Sequence, residues 1–147
     1  TGYSALCLAE GLAKDGKLYS LEANPEYHHV AQNFVAKSKY AKQIELICED
    51  AHITLMKLQK PWDIVFIDAD KESYYQYFQS VLPHVKSGGY IIADNVLWSG
   101  KVVDEIELQK DSDTQSLHQF NQLVCNDDKV VPVLLPIRDG MMVLCKR

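Results

Sequence analysis

The 147-residue chain is 47% hydrophobic, and its 15 basic and 20 acidic residues leave a formal net charge of −5. That size suits one compact domain over residues 1–147, and the interspersed charge, with no Lys/Arg run to track phosphates, argues against nucleic acid as a partner. No apolar run approaches the roughly 18 residues that span a bilayer, and no basic segment leads into an apolar one, so no membrane association and a cytoplasmic location are expected. Cys7, Cys48, Cys125 and Cys145 are widely spaced without a C-x-x-C. They read as small core residues in a reducing compartment, not as a disulfide frame or a zinc site.

The chain opens on Thr1 rather than Met, in "TGYSALCLAEGL", a turn running into a helix with no strand before it. This reads as a truncated beginning. Leu6, Leu8, Ala9, Leu12 and Ala13 share a helical face over residues 4–14, and "KDG" ends that helix before a strand at 17–22. Pro25 starts a second helix to about Lys37, followed by a strand at 44–48; Asp50 caps a third helix to about Leu58, followed by a strand at 63–68. A helix at 72–85, an "SGG" turn and a strand at 90–94 come next. Residues 98–113 read as a surface loop and 114–126 as a helix; the apolar runs 130–135 and 141–146, separated by "PIRDG", predict an antiparallel hairpin. Helix alternates with strand, and the strands are apolar throughout. The fold class is therefore α/β, a doubly wound and mostly parallel sheet closed by a C-terminal antiparallel hairpin.

In such sheets ligands bind outside the carboxyl ends of the strands. Glu22 ends the first strand, twenty positions after Gly2, the spacing at which an acid takes ribose hydroxyls of a nucleotide-like cofactor; an acidic strand end is also common without one. Asp50-Ala51 follows the next strand, as a helix cap or as a contact to an adenine edge. "VFIDADK" and "GGYIIADN" then end on Asp68 and on Asp94-Asn95. Three oxygen ligands without Cys or His suit a hard cation, Mg²⁺, Ca²⁺ or Mn²⁺, although each alone could cap the segment after it. Lys71 neutralises Asp70, lies solvated on a helix start or, beside a cation that lowers its pKa, is a general base. Trp98, three residues beyond Asn95, is a wall for an aromatic acceptor or a loop anchor. The run Tyr74, Tyr75, Tyr77, Phe78 has helical spacing and reads as core packing with one ring near the acceptor, and Arg138 and Asp139 as turn residues.

Together, "TGYSALCLAEGL", Glu22, "EDA", "FIDADK" with its following Tyr, "GGYIIADNVLWSG" and "PIRDG" resemble the cation-dependent class I O-methyltransferases, the caffeoyl-CoA and catechol O-methyltransferase group, in its bacterial form. The resemblance implies a Rossmann-like class I methyltransferase fold and an enzyme that methylates a small aromatic vicinal diol. It implies S-adenosylmethionine bound through Gly2, Ser4, Glu22, Asp50, Ala51 and Asp68, with Glu22 on the ribose. It implies a divalent cation, Mg²⁺ first, on Asp68, Asp94 and Asn95, and Lys71 with Asp68 as the catalytic pair. It also implies a homodimer in the full-length protein and a place close to the active-site mouth for the turn of Arg138 and Asp139.

Members of that family carry N-terminal helices and a first, central strand ahead of the position of Thr1, so a gap is expected between the strands ending at Glu22 and Asp68. The competing readings are an NAD-dependent oxidoreductase, which leaves Asp68, Asp94 and Asn95 without a role, and a cofactor-binding fragment without turnover.

Overall fold

A computed structural model of the chain describes all of residues 1–147. It divides into two compact units, Thr1–Leu58 and Gln59–Arg147.

The first unit runs α1 (Tyr3–Ala9), β1 (Leu18–Leu21), α2 (Pro25–Ala36), β2 (Ile44–Ile47) and α3 (Ala51–Lys57). β1 and β2 pair in parallel, from Leu18 opposite Ile44 to Leu21 opposite Ile47. Gly2 caps α1 at φ 83°, and a Cβ there would lie 3.1 Å from that of Ala31; only glycine takes this left-handed cap and lets α1 begin against α2. α1 is shorter than expected. The N–H groups of Gly11 and Leu12 turn back to the carbonyls of Leu8 and Ala9, three residues behind, and Gly11 in the next turn removes about 1 kcal/mol of helix propensity. α2 starts at Pro25 as expected, and Asn24 caps it, its amide oxygen accepting from the N–H of Glu26 at 2.8 Å and of Tyr27 at 3.3 Å. Ala5, Ala9, Val35 and Ile44 form this unit's core.

The second unit runs β3 (Trp62–Ile67), a 3₁₀ turn (Lys71–Ser73), α4 (Tyr74–Val81), β4 (Val85–Asp94), α5 (Glu105–Lys110), α6 (Ser112–Cys125), β5 (Val130–Leu135) and β6 (Met141–Lys146). Its sheet has the order β3-β4-β6-β5: β3 and β4 are parallel, and the expected hairpin of β5 and β6 is antiparallel, with β6 lying against β4. Pro132 falls on the edge strand β5, where its missing N–H costs least. Leu117, Phe120 and Val124 of α6 are fully buried at the spacing of one helical face, and Phe120 meets the rings of Tyr74 and Phe78 edge-on at 5.7 and 6.4 Å.

β1 and β3 belong to separate sheets, the interruption expected between the strands that end at Glu22 and Asp68. Other expectations are corrected. "SGG" is not a turn before a strand but an excursion inside β4, whose partner jumps from Val85 to Tyr90 between Trp62 and Ile64; Gly88 is at φ 78°, and a Cβ on Gly89 would fall 2.9 Å from the Asp63 carbonyl oxygen. The helix expected over 72–85 is broken into the 3₁₀ turn, α4 and a second 3₁₀ turn at Leu82–His84, because Pro83 cannot donate to the preceding turn. The expected loop 98–113 holds α5, capped by Asp104, whose Oδ1 accepts from Ile106 and Glu107 N–H at 2.8 and 3.2 Å; "DEIE" carries the acid-to-glutamate spacing of a capping box. Cys7, Cys48 and Cys125 are exposed and Cys145 half-buried, all four as thiols. Cys7 is not a core residue because Ala5 and Ala9 take the buried side of α1.

Candidate functional site

In the first unit, the N–H of Glu22 continues the β1–β2 ladder by donating to the Ile47 carbonyl at 3.0 Å. Its Oε1 accepts from the N–H of Asn24 at 2.9 Å, which fixes the half-buried carboxylate at the strand end. Asp50 is the cap of α3, its Oδ1 accepting from His52 N–H at 2.8 Å, with Ala51 the first helical residue. Gly2 and Ser4 lie at the start of α1, Ser4 exposed. These residues stand at the carboxyl ends of β1 and β2 or at helix starts, where N–H groups favour polar and anionic groups of a ligand.

In the second unit, β3 and β4 run in register to Ile67 opposite Ala93, so Asp68 and Asp94 leave the sheet side by side. Asn95 follows at φ 59°, a left-handed conformation that asparagine tolerates better than most residues. Lys71, from the 3₁₀ turn after β3, is buried; its side chain is 8% exposed against 47% for Asp68. Its ammonium lies 3.6 Å from Asp68 Oδ1, donates to Asn95 Oδ1 at 3.2 Å and donates to the Tyr74 hydroxyl. The faces of Tyr74 and Trp98 lie 4.5 and 5.7 Å from it. The Tyr74 hydroxyl in turn donates to the Asp94 carbonyl at 3.1 Å, and Asp94 Oδ1 accepts the Asn95 N–H at 2.8 Å. Burial, with Asp68 and then Asp94 and Asp70 nearby, pushes the Tyr74 phenol well above its ordinary pKa.

The structure thus brings Asp68, Lys71, Asp94 and Asn95 together. Lys71 pairs with Asp68, while Asp70 accepts from the Tyr77 hydroxyl at 2.8 Å. Two further residues are built into the group. Tyr74 sits in the core as expected, yet its hydroxyl reaches back to the lysine; only its position three residues after Lys71 hinted at this. Asp139 is more than a turn residue: its carbonyl accepts from Leu97 N–H at 2.9 Å, its carboxylate accepts from Ser99 N–H, and the Gly140 carbonyl accepts from Val96 N–H at 3.1 Å. The segment after Asn95 is held by the β5–β6 turn. It carries Trp98, Ser99 and Gly100 at φ 47°, 56° and 81°. The Trp98 indole N–H donates to Asp111 at 3.3 Å, and Thr114, then Trp98, hold the Asp111 carboxyl below its ordinary pKa. Trp98 is anchored in its loop, and with Ser99, Asp111 and Asp139 it lines an open cavity of about 250 Å³.

Parallel strands alternating with helices, with carboxylates at the strand ends, define an α/β class that takes a nucleotide-like cofactor. A family model described as O-methyltransferase matches residues 1–147, and the chain belongs to this family, the class I S-adenosylmethionine-dependent O-methyltransferases. The catechol O-methyltransferase of Niastella koreensis is 35% identical over 127 residues, covering 84% of this chain and 57% of that protein. A probable caffeoyl-CoA O-methyltransferase of Dictyostelium discoideum is 32% identical over 151 residues, covering 99% of this chain and 65% of that protein. The O-methyltransferase from Bacillus cereus, solved in complex with SAH, has a TM-score of 0.91 and 29% identity over 99% of this chain and 70% of its own. The chain spans less than two thirds of the length of these curated relatives. Family membership removes the NAD-dependent oxidoreductase reading. No helix is long and apolar enough to cross a membrane.

Proposed function

We propose that the protein transfers a methyl group from S-adenosylmethionine to one hydroxyl of a small aromatic vicinal diol, catechol-like or caffeoyl-like, with the help of a divalent cation. The observation that carries this is the convergence of Asp68 Oδ1 and Asn95 Oδ1 on the buried Lys71 ammonium at the ends of neighbouring strands. Carboxylate and amide oxygens already gathered round one positive charge fit a hard cation, Mg²⁺ before Mn²⁺ or Ca²⁺. Asp68, Asp94 and Asn95 would hold it. When bound, such a cation would draw both diol oxygens to itself and make one hydroxyl easier to ionise.

The chain's own residues then divide the work. Lys71, as the neutral amine, accepts at Nζ the proton of the acceptor hydroxyl, turning a phenol of pKa near 10 into a competent nucleophile. Trp98 offers its indole to the acceptor's ring. In the first unit, Glu22 would take the cofactor's ribose hydroxyls, Asp50 and Ala51 would lie by its adenine, and Gly2 and Ser4 would contact it from the start of α1. Positioning accounts for most of the acceleration, without a covalent enzyme intermediate. The catechol and caffeoyl-CoA O-methyltransferases among the relatives support the choice of acceptor. The same reading takes the protein as a cytoplasmic homodimer; its four free thiols support a reducing compartment.

Turnover tests it. The full protein, S-adenosylmethionine, catechol and Mg²⁺ should yield a methylated catechol and S-adenosylhomocysteine, and EDTA should stop the reaction. Undiminished turnover in EDTA would remove the cation from the reading, and binding of S-adenosylhomocysteine without turnover on any diol would leave a cofactor-binding fragment.

A further inference from the structure

We infer that Tyr74 is a positioning residue for Lys71, its hydroxyl fixing the lysine ammonium to the backbone of the same strand end that carries Asp94 and Asn95. This rests on Lys71 as the proton acceptor proposed above. A lysine side chain has four rotatable bonds and places its charge loosely unless something holds it. Here three oxygens face the ammonium, and they differ in how firmly they are themselves held. Asp68 is half exposed and 3.6 Å away. Asn95 Oδ1 is at 3.2 Å, on a residue in the left-handed region. Tyr74 is completely buried, its ring set edge-on against Phe120, and its hydroxyl accepts from Lys71 while donating to the Asp94 carbonyl at 3.1 Å. Of the three, only the phenol is a donor as well as an acceptor. It therefore joins the lysine to main chain rather than to another mobile side chain, and the distance between the base and the Asp94-Asn95 strand end is set by a rigid ring.

A double-variant cycle in the full protein, with S-adenosylmethionine, catechol and Mg²⁺ saturating, tests this. Tyr74→Phe keeps the ring and removes the link; kcat should fall about tenfold with the catechol KM nearly unchanged, a loss made in the transition state. In the Lys71→Ala background Tyr74→Phe should cost nothing more. Losses that multiply, or an unchanged kcat in Tyr74→Phe, would overturn the proposal while leaving Lys71 as base. A Lys71→Ala protein with full kcat would sink the reading of Lys71 itself, and the inference with it. Nitrogen-15 lysine relaxation gives a readout independent of turnover and of the variant's folding. In the wild-type protein the Lys71 ammonium should move less than surface lysines, and motion equal to theirs would also overturn the proposal.

Discussion

The backbone N–H of Ser99 donates to the carboxylate of Asp139, forty positions further along the chain. With the Leu97 and Val96 bonds beside it, this fixes a segment that would otherwise pay for three consecutive left-handed residues. Gly140 makes the approach possible: a Cβ there would fall 2.4 Å from Leu97 Cγ, at φ 81°. Gly140→Ala should therefore destabilise the protein by about 1–3 kcal/mol through overpacking and backbone strain together. Urea unfolding should show a lower midpoint with an unchanged slope.

Asp139→Ala removes only the carboxylate bond to Ser99 and leaves the main-chain bonds. Trp98, two bonds from that contact, should lose its fixed position, so the catechol KM should rise severalfold while kcat changes little. Equal KM values in the two proteins would show that Trp98 is set by Asp111 alone.

Glu22→Ala should weaken S-adenosylmethionine by about 1–3 kcal/mol, the scale of hydrogen bonds to a charged group, without altering the Mg²⁺ dependence of the rate. Calorimetric titration reads this directly. Unchanged affinity would reduce Glu22 to the strand terminus that its bond to Asn24 N–H already makes it.

Lys71→Ala should lower kcat by about 10²–10⁴-fold while cofactor affinity holds. Its rate should keep climbing with pH where the wild type levels off, because at higher pH the diol ionises unaided. If Lys71 merely held the strand end through Asp68, Asn95 and Tyr74, its loss should lower stability while the folded variant keeps its kcat.

Tyr74 also sets an alkaline limit. Its folded-state pKa is raised, first by burial and then by Asp68, so above about pH 10 the unfolded phenol releases its proton while the folded one keeps it. The folded state then binds more protons, and stability falls as pH rises through that window. Tyr74→Phe should be less stable than wild type by about 1–2 kcal/mol at neutral pH yet lose stability less steeply above about pH 10. Denaturant midpoints measured across that range check both halves.

The strand ends were legible in the sequence because an apolar run that stops on a carboxylate is a local pattern, and Glu22, Asp68 and Asp94 each follow one. Pro25 and Asp50 marked helix starts for equally local reasons. What stayed hidden depends on contacts across the chain. Helical spacing put Tyr74 in the core, correctly, but spacing does not say where the hydroxyl of a buried ring points. Asp139 has the composition of a turn whether or not anything docks on it. The "SGG" excursion and the loss of Cys7 from the core follow from which neighbours fill the adjacent space, and a single strand or helix carries no record of that.

The antiparallel placement of β6 has a consequence for synthesis. Because β6 runs back along β4, with Met141 opposite Asp94, Asp139, which holds Ser99, is made 40 positions after it, and Asp68, Lys71 and Asp94 are made earlier still. At roughly 5–20 residues per second of synthesis, β3 and β4 are made some seconds before the β5–β6 turn. The strand-end group of Asp68, Asp94 and Asn95 must therefore pass through an interval in which Trp98 is still unanchored to the β5–β6 turn. Final setting of the Trp98 segment is a late event, coupled to closure of the hairpin rather than to formation of the parallel strands.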